Sequence, residues 1–150
     1  MPAIESEVKQ EKFQSEFQKA AVNILFTGSW LYNLNATFLK SFDITPEQFN
    51  VLRILRGSHP KPMMLADITS RMIDKNSNAT RLVEKLRVKG LVKREICRSN
   101  RRQVDISITD KGLTLLTRID RSSDSWQSTL KNLTKSEAQQ LNFLLDKLRG

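Results

Sequence analysis

Residues 76–90 read NSNATRLVEKLRVKG, and the fold is decided there. Ala79, Leu82, Val83 and Leu86 recur at i, i+3, i+4 and i+7, a spacing that puts apolar side chains on one face of a helix. Asn76 or Ser77 can cap its start, and Gly90 suits the left-handed position that closes a helix C-terminus. Arg81, Lys85, Arg87 and Lys89 fall off the apolar stripe, so the opposite face is basic.

Just upstream, residues 63–74 (MMLADITSRMID) form a shorter helical segment with Leu65, Ile68 and Met72 inward, and a polar turn at 74–77 separates the two. Two short helices joined by a tight polar turn, the second amphipathic, are the pattern of a helix-turn-helix. Before them, FDITPEQFNVLRIL (42–55) opens another helix. Thr45 suits its N-cap, Pro46 its first helical position, and Gln48 completes a capping box. Phe49, Leu52 and Leu55 follow as a core stripe, and the loop GSHPKP (57–62) ends it.

Downstream, LVKREI (91–96) and QVDISIT (103–109) read as two short strands. In the second, Val104, Ile106 and Ile108 face one way and Asp105 and Ser107 the other. They pair as a hairpin tipped by CRSNRR (97–102). Thr109 and Asp110 can cap a new helix with the stripe Leu113, Leu116 and Ile119, continuing through Trp126 to Leu130. A capping box from Thr134 to Glu137 starts a last helix, with Leu141, Leu144, Leu145 and Leu148 on one face. At the other end, Phe13, Phe17, Ala20, Ile24, Leu31, Leu34 and Phe38 predict a long helix from about Glu11 to Leu39, with a slip near Gly28.

The 150 residues carry 25 Lys and Arg against 16 Asp and Glu, a net charge of +9. Between Arg81 and Arg102 nine cations face only Glu84 and Glu95, so +7 of that charge is local. A localised cation excess is the footprint of a polyanion-binding surface. Hydrophobic content of 39% fits an ordinary globular chain. No apolar run approaches the roughly 20 residues that span a bilayer. The polar N-terminus MPAIESEVKQ does not read as a signal peptide. A single cysteine, Cys97, allows no intrachain disulfide, and a cytoplasmic location is expected.

The blocks TPEQFNVLRIL, NATRLVEKLRVKGLVKRE and NRRQVDISITDKG, in this order, resemble the MarR family of bacterial winged-helix transcription regulators. The likeness runs from Thr45 to Gly112. It implies a mainly α fold with a β-hairpin wing, a winged helix-turn-helix flanked by terminal dimerisation helices. The DNA-binding lobe would cover about 44–109, and the dimerisation helices about 10–40 and 110–149. Two departures stand out. The family's wing usually carries Asp followed two residues later by Arg, where this chain has Asn100 and Arg102. The turn MIDKNSN also looks longer than in many members.

The residues suit that role. A helix fits the major groove with its N-terminal residues at the base edges, where Asn pairs with adenine and Arg with guanine. The expected contacts of this recognition helix are Lys75, Asn76, Ser77, Asn78, Thr80, Arg81 and Lys85, with Lys75 and Lys85 on phosphates. Those of the wing are Arg98, Asn100, Arg101 and Arg102, reaching an adjacent minor groove. The apolar terminal helices imply a homodimer reading a pseudo-palindromic operator, as a repressor by the family's commoner habit.

Many relatives answer to a small, often phenolic, effector. Phe26, Trp30, Tyr32, Phe38 and His59 are the residues expected to border such a pocket. Cys97 is expected to be a passive, half-buried thiol. Nothing in the sequence points to an enzyme. Its only histidine, His59, is remote from Cys97, and no phosphate-binding glycine loop or metal-ligand spacing occurs. No cofactor or metal is expected. The alternative is a winged-helix protein-interaction module without specific DNA binding.

Overall fold

The computed structural model describes residues 2–122 and 126–150, the side chains of 126 and 127 excepted. Seven α-helices and one hairpin follow in the order α1 (Ile4–Glu7), α2 (Glu16–Lys40), α3 (Pro46–Ser58), α4 (Leu65–Arg71), α5 (Ala79–Val88), β1 (Val92–Ile96), β2 (Val104–Ile108), α6 (Asp110–Asp120), a 3-10 helix (Trp126–Asn132) and α7 (Lys135–Arg149).

The capping signals act as the sequence suggests. The Thr45 side chain accepts from the Gln48 N–H at 3.2 Å, and Gln48 Oε1 accepts from the Thr45 N–H at 3.1 Å. Thr134 and Glu137 make the same reciprocal pair. Gly90 ends α5 with φ +73°, a conformation that costs a side chain dearly but not glycine.

Two boundaries differ from expectation. The long helix starts at Glu16, with Ser15 as N-cap accepting from the Gln18 N–H, and runs unbroken across Gly28. The short α1 precedes it, and Phe13 lies outside both. The stripe from Leu113 does not continue as one helix. It ends at Asp120, and a 3-10 helix takes up at Trp126; residues 123–125 lie outside the described ones.

The core lies in the middle of the chain. Leu39, Val51, Leu52, Leu55, Ile68, Met72, Val83, Leu86, Ile106 and Leu116 are essentially inaccessible. Thus α3, α4 and α5 pack on the hairpin and on one another, and α3 also packs on α6. The strands are antiparallel, Val92 opposite Ile108, Arg94 opposite Ile106 and Ile96 opposite Val104. Met63, ahead of α4, adds one bridge by exchanging backbone bonds of 2.8 and 2.9 Å with Ile106. This third edge ties the hairpin root to the helix-turn-helix.

The exit from the hairpin is a tight joint. Thr109 caps α6 through the Gly112 N–H and donates its hydroxyl to the Gly90 carbonyl at 2.7 Å. Lys111 Nζ bonds the Lys89 carbonyl at 2.9 Å, satisfying the end of α5. A Cβ on Gly112 would lie 2.4 Å from the Leu91 carbonyl oxygen and 2.6 Å from Ile108 Cγ1. Only glycine lets α6 pack this closely, so the sequence Thr-Asp-Lys-Gly fixes where α5 and the hairpin stand relative to each other.

The terminal helices are different. α7 buries none of its residues, and α2 buries only Leu39 among 25. Phe17 is 88% exposed and Phe143 64%, with Leu25, Leu144 and Leu148 also open. No helix of the described residues is long and apolar enough to cross a membrane.

Candidate nucleic-acid interface

The turn before α5 is organised by Asp74, whose side chain accepts from the Asn76 N–H at 2.9 Å and whose carbonyl accepts from the Ser77 N–H. The cap of α5 is Asn78, not Asn76 or Ser77: Asn78 Oδ1 accepts from the Arg81 N–H at 3.1 Å. The physical reason is Ala79, which must be the first helical residue to enter the core. Ser77 is half-buried, and its hydroxyl is enclosed without a partner. Lys75 reaches back to the Ser70 carbonyl at the end of α4. Of the residues expected to meet DNA here, Asn78, Thr80, Arg81 and Lys85 are exposed on α5 or at its cap, and Asn76 is exposed in the turn. Lys75 and Ser77 have structural engagements of their own.

The hairpin tip is closed by its own backbone. The Cys97 N–H bonds the Gln103 carbonyl at 2.9 Å, and the Gln103 N–H bonds the Asn100 carbonyl at 2.9 Å. Asn100 Oδ1 accepts from the Arg102 N–H at 3.1 Å. An amide oxygen therefore performs the turn-forming role that the usual acid can perform, without cancelling a cation. Arg98, Arg101 and Arg102 are exposed and lack an ion-pair partner among the described residues. Cys97 is half-buried, its Sγ 3.1 Å from Ser99 Oγ. The Ser99 hydroxyl, then the N–H groups of Ser99 and Asn100, hold its thiol below the ordinary cysteine range.

Ion pairing sorts the local cations into two sets. Glu84 takes Arg87 in two-pronged fashion at 2.9 and 2.7 Å, with Arg94 at 3.9 Å. The bond from Arg87 holds the Glu84 carboxyl below its usual range. Lys93 pairs with Glu95 at 3.5 Å and Lys89 with Asp43 at 3.2 Å. All are exposed or half-exposed, so solvent screens them and they add little to stability. Their consequence is electrostatic. Of the nine cations between Arg81 and Arg102, those without an acidic partner among the described residues are Arg81, Lys85, Arg98, Arg101 and Arg102, on α5 and at the tip.

These two ends face a common side. Thr80 of α5 and Arg102 of the tip line one open cleft of about 320 Å³, with Arg94 and Gln103 between them and Met64, Val83 and Ile106 below. Arg94 and Gln103 are absent from the sequence-derived set. Arg94 shares the face of Val92 by strand alternation but is exposed, so the alternation alone does not single it out.

The residues expected around an effector are spread out. Phe38 packs on the core, edge-on to Phe42 with centroids 5.5 Å apart. Tyr32 borders a cleft at the α2–α3 corner with Lys40 and Lys89, and its hydroxyl donates to Glu47 at 2.8 Å, which pushes its pKa up. Phe26 and Trp30 are exposed on α2, and His59 is the exposed C-cap of α3. Among the described residues no group of three His, Cys, Asp or Glu is placed to hold a metal.

Comparison with known proteins gives the same picture. The MarR family model matches residues 44–104. The HTH-type transcriptional regulator MgrA of Staphylococcus aureus is 29% identical over 117 residues, which are 78% of this chain and 77% of that protein. The crystal structure of a MarR transcription factor from Planctomyces limnophilus is 29% identical and superposes with a TM-score of 0.69, covering 90% of this chain and 98% of that one. A mutant MarR from E. coli complexed with operator DNA shares the fold at a TM-score of 0.77 and 24% identity, covering 92% and 99%. The helix-turn-helix and most of the wing thus lie within the stretch that matches the MarR family model, and over most of its length the chain is similar to an HTH-type transcriptional regulator and to a MarR transcription factor.

Proposed function

We propose that this protein is a homodimeric repressor that binds a pseudo-palindromic operator in the cytoplasm. Residues 44–109 form its DNA-binding lobe, and about 10–40 and 110–149 its dimerisation helices. The start of α5 enters the major groove, with Asn78, Thr80 and Arg81 at base edges and Lys85 on phosphate, while Asn76, Ser77 and Lys75 shape the approach. Arg98, Arg101 and Arg102, on the turn held by Asn100, follow into the adjacent minor groove.

The observation that carries this reading is the sorting of charge. Between Arg81 and Arg102, acids pair Arg87, Lys89 and Lys93 and hold Arg94 only loosely, leaving Arg81 and Lys85 on α5 and Arg98, Arg101 and Arg102 at the tip. A protein-docking wing needs no such concentration.

The dimer rests on the open apolar faces of α2 and α7, which a soluble monomer does not leave in water. Two copies of α5 then stand about 34–36 Å apart, one turn of DNA. A small aromatic effector, with Tyr32 at the α2–α3 corner as its first contact and Phe26, Trp30, Phe38 and His59 as the others proposed, releases DNA only by favouring one lobe spacing over another.

Titration of mixed-sequence duplex at increasing salt tests the reading. Binding whose log K falls by about 0.9 per neutralised phosphate is expected. A slope near zero would instead favour the protein-interaction module. Sedimentation of the full chain at the same concentrations checks the dimer.

A further inference from the structure

The cleft between α5 and the hairpin has its own consequence, which rests on the DNA-binding reading above. A major groove and the neighbouring minor groove are separated by a single sugar–phosphate strand. Any duplex that receives the start of α5 in one and the tip in the other must therefore run one strand across the space between Thr80 and Arg102. That space is the cleft of about 320 Å³.

Its lining suits such an occupant. Met64, Val83 and Ile106 give an apolar floor on which a deoxyribose can lie. Thr80 supplies a hydroxyl on one wall, and Arg94 and Arg102 supply the cations. Arg94 is central. It stands in mid-strand opposite Ile106. Glu84 touches it only at 3.9 Å, because that carboxylate already holds Arg87 at 2.7 Å. Arg94, which lines the cleft while Glu84 does not, thus retains unused donors, the state expected of a guanidinium awaiting a phosphate.

We infer that this cleft seats the single backbone strand between the two grooves and that Arg94 is its phosphate ligand, with Thr80 as a second donor. Arg94 then sets the position of the protein on DNA without reading sequence.

The test combines Arg94→Gln with duplexes carrying one neutral methylphosphonate in place of each phosphate in turn. Arg94→Gln is expected to weaken mixed-sequence and preferred duplexes alike, by about tenfold. The salt slope should fall by about 0.9 for each protomer. One methylphosphonate position, between the two grooves, should weaken wild type and leave Arg94→Gln unaffected. An unchanged slope, or losses that multiply independently at every position, would overturn the assignment. If Arg94→Gln proves to melt early, the methylphosphonate scan of wild type decides alone: insensitivity at the strand between the grooves refutes the seat. Failure of the underlying reading looks different, since wild type would then bind duplex without any salt slope.

Discussion

Asn78 holds two positions at once, and they can be separated. Its Oδ1 caps α5 by accepting from the Arg81 N–H at 3.1 Å, and the residue is exposed at the proposed base-reading end. A two-pronged contact to adenine needs Nδ2 as donor and a second lone pair of the same Oδ1 as acceptor. Removing both with Asn78→Ala should cost about 1 kcal/mol of stability through the lost cap. For a chain of this size that lowers the melting temperature by about 2–4 °C. The same variant should lose about 1–3 kcal/mol of discrimination at one base position, roughly 5- to 150-fold. Asn78→Ser keeps a capping oxygen but has no amide donor. It should melt like wild type and bind DNA as poorly as the alanine variant. Asn78→Asp should also keep the cap, with a favourable charge at the helix start, and bind worst of all because it sets an anion against DNA. Thermal melts and anisotropy titrations on one preferred duplex and its single-base variants read both quantities. Full DNA affinity in Asn78→Ser would show that the residue is only a cap. An unchanged melting point in Asn78→Ala would refute the capping bond itself.

Three further outcomes are expected. Gly112→Ala should destabilise the protein by about 1–3 kcal/mol or more, because its Cβ meets backbone at 2.4 Å, and a melting curve close to wild type would refute the tight joint. Replacing Arg101 and Arg102 together by Gln should lower the salt slope by up to about 3.6 in a dimer, four charges at about 0.9 each, with no change in melting temperature; an unaltered slope removes the tip from the interface. Phe143→Glu, on the open face of α7, should convert the dimer to monomer in sedimentation and abolish tight operator binding while leaving the buried core intact, whereas a persistent dimer would place the interface elsewhere.

Much of the fold was legible because it is written in local chemistry. Thr45-Pro46 with Gln48, Gly90 at positive φ, and the alternation of Val104, Ile106 and Ile108 each fix a boundary from within a few residues. The helix-turn-helix and its basic face followed from the same periodicity. What escaped was decided at a distance or among equals. Asn76, Ser77 and Asn78 are all capable caps, and the burial of Ala79 selects the last of them. The Met63–Ile106 bridge joins residues far apart in sequence and leaves no local trace. The sorting of cations by Glu84 depends on how α5 faces β1, so a count of charges saw the excess but not which arginines carry it. Arg94 was overlooked for that reason: beside the conspicuous tip it reads as one more strand cation.

The central claim is that the start of α5 and the hairpin tip act as one DNA-binding face, duplicated by a two-fold axis. Selection of bound sites from random duplex by the full-length protein measures this most directly. Enriched sequences should be pseudo-palindromes with half-site centres about 10 base pairs apart, flanked by A·T-rich minor grooves where the tips lie. Recovery of unrelated sequences, or of single asymmetric sites with no second half, would contradict it.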